Sequence, residues 1–530
     1  MNKYLDNLSF NLFKNIRGVV EFKSATKNPA LIQKKVLKRI LSKNAKTMYG
    51  EKYNFKNIKS IKDYQLKVPI ISYEDLTNYI DLLKIGEQNI LTKDRVIYFA
   101  TTSGTTKNVK LIPITKERTR IFKTELLLWS TFFLKKNKEV IKGKMLYFAG
   151  PYYEFYTKAG IPCGSISGYL AHKTPWFIKK RLAFSPKVYN IMNFDEKTKI
   201  IAINALQSNI TQMGFASPIE AILFFDYLKK NKLKLINILK KKGKTKRAKA
   251  LQKINNFIPI NIWPNLKLIN CIKSKSNQIY LDSLREKIGK QNIKIRDPGI
   301  YSSEGRLSLC IDDSDSVSGV IPANENFFEF IEQKNGKSIG APLTVDKIKK
   351  GKEYLVIITT PEGLYRYDMG DVVKVSGFIG LLPLIEFVNR NNFLNIAGEL
   401  AHENILIESI QLALTRTNSS LRGFTVIPLI HGSKKPRYEV LIEFKNKTSE
   451  ILAKRLVKEI DDSLQENISD YKQMRNEFGR LDPPVVSVLQ KGSYDEFEKK
   501  RVVRGGQPKP IYMSKDSKFR DNFKIEKTFN

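Results

Sequence analysis

The sequence predicts an α/β fold in a large N-terminal domain, followed across a hinge by a small C-terminal α+β domain. Three observations lead there. The β-branched and aromatic run Val96-Ile97-Tyr98-Phe99-Ala100 has the composition of a buried strand, and it passes through a hydroxyl-rich loop into a helical stretch, Lys116–Lys135. Leu266–Asn270 and Ile293–Arg296 flank a helical pattern at Ile279–Ile288, which is a β-α-β rhythm. The pattern changes after the short polar segment Asn389–Gly398. Beyond it come helix Glu403–Thr415, strands Phe424–Leu429 and Arg437–Phe444, helix Ser449–Asn467 and strand Val485–Leu489, an antiparallel-looking unit of domain size. The boundary is placed near Asn392, giving domains 1–391 and 392–530.

The remaining elements follow in order. Pro29–Lys46 carries Leu31, Ile32, Val36, Leu37, Ile40 and Leu41 at helical spacing, with lysines on the outer face. Ser72-Tyr73-Glu74-Asp75 has the Ser-x-x-Asp form of a capping box opening a helix. Met145–Ala149 reads as a strand entering the aromatic loop Pro151–Tyr156, and Phe215–Lys230 as a helix. Lys229–Lys253 reads as a basic helical pair whose apolar stripe is Leu233, Ile236 and Leu239. Strands Tyr354–Thr360 and Val372–Val375 enclose the turn Pro361–Asp371. The charged tail after Ser514 is expected to fray.

At 530 residues the chain exceeds one ordinary core, and 42% hydrophobic content suits a globular protein rather than a disordered one. The net charge of +40 raises the question of an anionic partner. Lys, Asn and Ile are overused together, however, as AT-rich codons would produce. The basic segment Lys229–Lys253 also lacks interleaved aromatics. A solvated surface is therefore the reading, and nucleic acid is not an expected partner. Cys163, Cys271 and Cys310 have neither metal-like nor redox-like spacing, and the N-terminal residues lack a signal-peptide core and cleavage site. A reducing, cytoplasmic location is expected. The three histidines are scattered, and no apolar run reaches membrane-spanning length, so no membrane partner is expected.

The chemistry gathers in three short motifs. Thr101-Thr102-Ser103-Gly104-Thr105-Thr106 sets five hydroxyls around one glycine, with Lys110 just downstream. Such a loop can wrap N–H groups, hydroxyls and an ammonium around phosphate oxygens, although its spacing is not that of a Walker A loop. Tyr301-Ser302-Ser303-Glu304-Gly305 brings together an aromatic plane, two hydroxyls and a carboxylate, the types needed for an adenine stack, a phosphate contact and a Mg²⁺ ligand. In Leu364-Tyr365-Arg366-Tyr367-Asp368-Met369-Gly370-Asp371, Asp371 is suited to accepting both hydroxyls of a ribose.

In this order, with a hinge and a small domain behind them, the motifs resemble the adenylate-forming superfamily. Within it the chain resembles the acyl acid amido synthetases first known as plant auxin-responsive proteins, the Gretchen Hagen three family. The likeness extends to VPIISYEDLTNYI, GEQNIL, LIPIT, FFEFIE, GKEYLVIITTPEGLYRY and GDVVKVSGF, nearly the whole chain.

The resemblance implies a large multi-subdomain N-terminal α/β domain and a mobile C-terminal domain. It implies ATP and Mg²⁺, a small-molecule carboxylic acid, and an amine, commonly an amino acid. It places Ser103, Gly104, Thr105, Thr106 and Lys110 at the pyrophosphate oxygens, and Tyr301, Ser302 and Ser303 along the adenine and α-phosphate. Glu304 would be at Mg²⁺, Asp371 at the ribose, Arg390 at the nucleotide near the hinge, and Lys509 on a loop that swings over the reacting phosphate. Tyr152, Tyr153, Phe155, Met213 and Phe215 are candidates for the acyl pocket, with core packing the competing role. A monomer is expected. The chain departs from the family pattern in three places. The first loop is a residue shorter before its lysine, Asp368 stands where the family often has Arg, and NIAGELAHE differs from the plant hinge. The competing functions are a CoA or other thiol ligase of the same superfamily and a basic nucleic-acid-binding protein.

Overall fold

A computed structural model describes residues 17–101, 109–134, 137–273, 278–289, 293–311, 317–334, 337–390, 393–397, 399, 401–429, 435–446, 448–477, 479–502 and 510–530. Strands β1 (Tyr98–Thr101) and β2 (Leu111–Ile114) form an antiparallel pair, and β3 (Lys144–Tyr147) opens a different sheet. The short β4 (Phe155–Tyr156) and β5 (Pro162–Ser165) return to the first sheet, whose order is β2-β1-β5-β4. Strands β6 (Ile210–Gly214), β7 (Leu268–Asn270) and β8 (Lys294–Arg296) join β3 in a wholly parallel sheet of order β3-β6-β7-β8. All five residues of β6 are buried, as in a parallel sheet covered by helices on both faces.

The central sheet is antiparallel at every pairing. It contains β9 (Gly319–Val320), β10 (Phe327–Lys334), β11 (Lys337–Thr344), β12 (Glu353–Thr359), β13 (Tyr367–Ile379) and β14 (Leu382–Arg390), in the order β11-β10-β12-β13-β14-β9. Beyond it, β15 (Phe393–Leu394) and β16 (Ala401–His402) pair, and β17 (Leu421–Leu429), β18 (Arg437–Phe444), β19 (Val485–Leu489) and β20 (Ile525–Phe529) form the C-terminal sheet.

Hydrophobic burial assembles these sheets around two main cores. One includes Tyr64, Tyr98, Phe99, Phe327, Phe330 and Tyr365, joining the first sheet to the central one and to the N-terminal helices. The other includes Leu146, Met213, Ile269 and Trp263 of the parallel sheet and its helices, and continues into Leu406, Val440 and Leu456 of the C-terminal unit. That unit is seated on helix Gln278–Ile288, where the Tyr280 and Tyr512 rings lie 6.2 Å apart.

Several expectations are corrected. The Asp75 carboxylate accepts from Ser72 N and Oγ at 2.8 and 2.9 Å, but the chain then makes a 3₁₀ turn, Glu74–Leu76, before helix Thr77–Lys84. Phe215 lies just past the end of β6 instead of starting a helix, because Ser217 caps helix Pro218–Lys230 with Pro218 in its first turn. Leu233 is 71% exposed, and Leu235 takes its place beside Ile236 and Leu239 in the core. In the C-terminal sheet β18 and β19 run parallel, since helix Glu450–Asn467 crosses between them. The tail is not frayed: β20 pairs with β19 and Phe529 is buried.

Arg366 shows how firmly the third motif is held. Its φ is +47°, a left-handed value that costs a residue bearing a Cβ. The side chain compensates. Nε and Nη2 donate to the two oxygens of buried Glu329 at 3.0 Å each, and Nη1 donates to the Gln65 and Val68 carbonyls at 2.8 and 2.7 Å. Glu329→Ala leaves this guanidinium buried without its counter-charge and is expected to cost about 3–5 kcal/mol of stability. Urea denaturation measures it, and a loss below about 1 kcal/mol would contradict the assignment.

Candidate active site

The carboxyl ends of parallel strands open onto the crevice where α/β sheets hold their ligands, and here they deliver the second motif. Past β8, Asp297 accepts from Lys273 N at 2.6 Å and from Gly299 N at 2.7 Å, stapling the ends of β7 and β8 together. Burial pushes its carboxyl above the usual range, and the two N–H bonds oppose that rise. Gly299 has φ +90°, and a Cβ there would come within 2.3 Å of the Ser308 carbonyl oxygen, so only glycine fits.

The loop behind it is tight. Ser302 donates from both N and Oγ to the Gly305 carbonyl at 3.0 Å. Ser303 Oγ donates to the carbonyl of Thr101 at 3.4 Å, so the second motif touches the strand that leads into the first. The Tyr301 ring lies under the Arg306 guanidinium, 4.6 Å away, and Arg306 Nε donates to buried Glu125 at 3.2 Å.

Arg118, on helix Lys116–Leu134 just after the first motif, ties the second motif to the third. It is 1% exposed, and its Nη2 donates to the Glu304 carbonyl at 2.6 Å. Its Nε lies 4.0 Å from the carboxylate of Glu362, which sits in the turn of the third motif. Burial raises the Glu362 carboxyl, and the Arg118 charge pulls it back. One arginine among Lys116, Arg118, Arg120 and Lys123 at the start of this helix carries no sequence signal for this role.

The third motif runs from the turn into β13. Asp371 is a strand residue rather than a turn residue, 3% exposed and opposite Arg390 in register. Asp368 accepts from Gly370 N at 2.7 Å, and burial raises its carboxyl. The Tyr367 hydroxyl is raised by burial first, then by the charges of Glu304, Glu74 and Asp368 around it. Lys110 reaches the same neighbourhood: its ammonium is 3.7 Å from Glu74 and 5.1 Å from the centre of the Tyr73 ring. Thus Lys110, Ser303, Glu304, Asp368 and the start of β13 come together. Ser103, Gly104, Thr105, Thr106 and Lys509 lie outside the described residues, as does the side chain of Arg390.

Two of the acyl-pocket candidates are core residues. Met213 is fully buried in β6, and the Phe215 ring stacks on Phe148 at 5.0 Å within the same core. Tyr152 stacks between Tyr98 and His172, while Tyr153 and Phe155 are 39% and 40% exposed.

Three family models match the chain in succession: the GH3 family N-terminal domain at residues 18–293, the central domain at 319–390 and the C-terminal domain at 405–518. The chain belongs to the GH3 family. Among curated relatives it is 25% identical to indole-3-acetic acid-amido synthetase GH3.4 of Arabidopsis thaliana, over 92% of this chain and 89% of the relative. It is 26% identical to jasmonoyl–L-amino acid synthetase JAR6 of Nicotiana attenuata, over 72% and 73% of the two chains. The fold superposes on that of GH3.15 acyl acid amido synthetase with a TM-score of 0.85 at 21% identity, covering 96% of this chain and 95% of the other.

In this GH3 chain the ends of β3 and β6 are braced by a buried pair. Lys197 donates to the Ala149 and Tyr189 carbonyls at 2.8 and 3.2 Å, and Glu220 accepts from Ala216 N at 2.8 Å. Burial lowers the Lys197 ammonium to about 8 and raises the Glu220 carboxyl to about 7, each charge opposing the other's shift. Between the ordinary carboxyl value of 4.5 and about 7, the folded chain keeps a proton that the unfolded chain releases. The Glu220 contribution therefore falls as pH rises through that window. Glu220→Gln removes the titration, so the variant is expected to gain stability relative to the wild type between pH 5 and pH 7. Paired urea titrations check this, and a pH-independent difference would overturn it.

Proposed function

We propose that this chain is an ATP-dependent acyl acid amido synthetase. It activates a small carboxylic acid as its acyl-adenylate and transfers the acyl group to an amine, most simply an amino acid. The observation that carries the reading is the meeting of the three motifs through Ser303, Arg118 and Glu304, in a GH3 chain whose curated relatives are named amido synthetases.

In the first step a carboxylate oxygen attacks the α-phosphorus of ATP, and the bond to pyrophosphate breaks. Ser103, Thr105, Thr106 and Lys110 would hold the departing oxygens, with Gly104 admitting close backbone approach. Ser303 would approach the α-phosphate, Ser302 would keep its turn closed, and Tyr301 would flank the adenine. Asp371 would accept from the ribose hydroxyls, and Arg390 would contact the nucleotide from the adjacent strand. In the second step the amine nitrogen attacks the acyl carbon, the bond to AMP breaks, and the amine loses a proton. The mixed anhydride makes this feasible by replacing a poor leaving group with a good one.

Mg²⁺ suits the donor set at Glu304. Among the described residues no cluster of three His, Cys, Asp or Glu forms a protein cage. One carboxylate completed by phosphate oxygens and water is the usual Mg²⁺ arrangement. When bound, the ion would offset phosphate charge. The reading includes a cytoplasmic monomer of two parts, 1–391 and a mobile 392–530.

The test is pyrophosphate release screened over aryl, indolyl and aliphatic acids, repeated with individual amino acids. Amino-acid-dependent AMP release supports the reading, whereas acceleration by coenzyme A and by no amino acid would replace it with a thiol ligase. Glu304→Ala is expected to lose about a hundredfold or more in adenylation rate, and near-normal adenylation would remove Glu304 from the metal. Lys509→Ala should slow acyl-adenylate formation yet still convert a supplied acyl-adenylate to amide, because a charge that contacts only the first transition state helps only that step. Equal slowing of both half-reactions would point to domain closure instead.

A further inference from the structure

The parallel sheet has a second end. At the amino ends of β3 and β6, away from the motifs, lies a shallow depression of about 510 Å³. Lys142, Lys144, Lys180 and Arg181 line it beside Ile141, and among the described residues no carboxylate does. Lys144 Nζ donates to the Lys180 carbonyl at 2.6 Å, and Arg181 donates to the Val140 and Gly143 carbonyls, so the basic groups belong to a packed rim. Glu139 pairs with Lys142 at 2.8 Å, but both side chains are about 60% exposed and such a pair binds weakly.

Apolar side chains project from the same rim. Trp176 and Phe177, on the short helix Trp176–Lys179 that leads into Lys180, are 68% and 58% exposed, and Ile141 is 49% exposed. The Lys180 ammonium stands 4.6 Å from the centre of the Trp176 ring. Core packing does not account for a tryptophan held this far into solvent.

We propose that this face binds the surface of an anionic phospholipid bilayer. Trp176 and Phe177 enter the interfacial layer, and Lys142, Lys144 and Lys180 face lipid phosphates. Amphipathic aromatic rings favour the headgroup level, and clustered Lys and Arg are drawn to anionic leaflets. Two protruding rings, one of them beside the Lys180 ammonium, suit a soft, repetitive anionic surface, whereas a protein partner would need a matching pocket for each ring. The overall charge of +40 favours the same encounter. The sequence expectation of no membrane partner rested on the lack of a spanning run. Among the described residues no helix is long and apolar enough to cross a membrane, and lying on one requires none.

The test is co-sedimentation of the full chain with vesicles of phosphatidylcholine alone, or with about one-third phosphatidylserine, read alongside tryptophan emission. Of the three tryptophans Trp263 is buried and Trp129 is partly buried, so a blue shift reports on Trp176. Partitioning is expected to be about tenfold or more stronger on the anionic vesicles and to weaken with salt. Trp176→Ser with Phe177→Ser should weaken co-sedimentation with the anionic vesicles, and unchanged co-sedimentation of that variant would overturn the proposal. Lys142→Gln, Lys144→Gln and Lys180→Gln together should cost about fivefold per lysine, with circular dichroism confirming that both variants fold. Equal partitioning on the two vesicle types would overturn the proposal, as would a wild-type blue shift induced by glycerophosphate without vesicles, which would mark a small-anion pocket. No catalytic turnover enters these readouts.

Discussion

A guanidinium taken out of water must be met by fixed acceptors and counter-charge, and the candidate site is organised around one such group. Arg118 lies within the core on the helix that follows the first motif. It donates to the backbone of the second and faces a carboxylate of the third. Leaving that charge unmatched would be costly, so the helix, the Tyr301–Gly305 loop and the Thr360–Arg366 turn are constrained to one arrangement. Arg306 with Glu125, and Arg366 with Glu329, repeat the device on either side.

Around this hub the parallel sheet acts as a frame. Its strand ends would otherwise expose N–H groups to a partly buried crevice. Asp297 and Glu220 each accept from such groups, while Lys197 donates to the carbonyls of Ala149 and Tyr189. The same side chains that satisfy the backbone also hold the loops at the carboxyl end of the sheet in place. At its amino end no motif competes, and a rim of basic and aromatic side chains faces solvent.

The C-terminal unit is attached differently. Its sheet is closed by β20 and backed by helices, and it meets helix Gln278–Ile288 through aromatic rings, with Lys445 lying 3.9 Å from Glu286. Residues Ile511–Ser514 run alongside β17, with Val426 donating to Tyr512 and Ser514 donating back to Val426. The end of the chain is thereby tied to the C-terminal sheet.

Wherever period and composition decide structure locally, the sequence alone was sufficient. Helix Pro29–Lys43, the β-α-β step from β7 to β8, and strands β18 and β19 were legible because their apolar spacing or β-branched content has one good solution. The three motifs were legible too, since their chemistry is concentrated in a few consecutive residues. Tertiary structure decided what depends on partners far away in the chain. Arg118 reaches Glu304 across 186 residues, and Glu329 meets Arg366 across 37. No local pattern marks a charge that will be buried. The charged tail became β20 because β19 had an open edge to fill, and Leu233 was displaced from the core because helix Lys232–Lys241 presents Leu235 there instead. Each of these outcomes depends on which surfaces meet, and that is settled only when the separate elements pack.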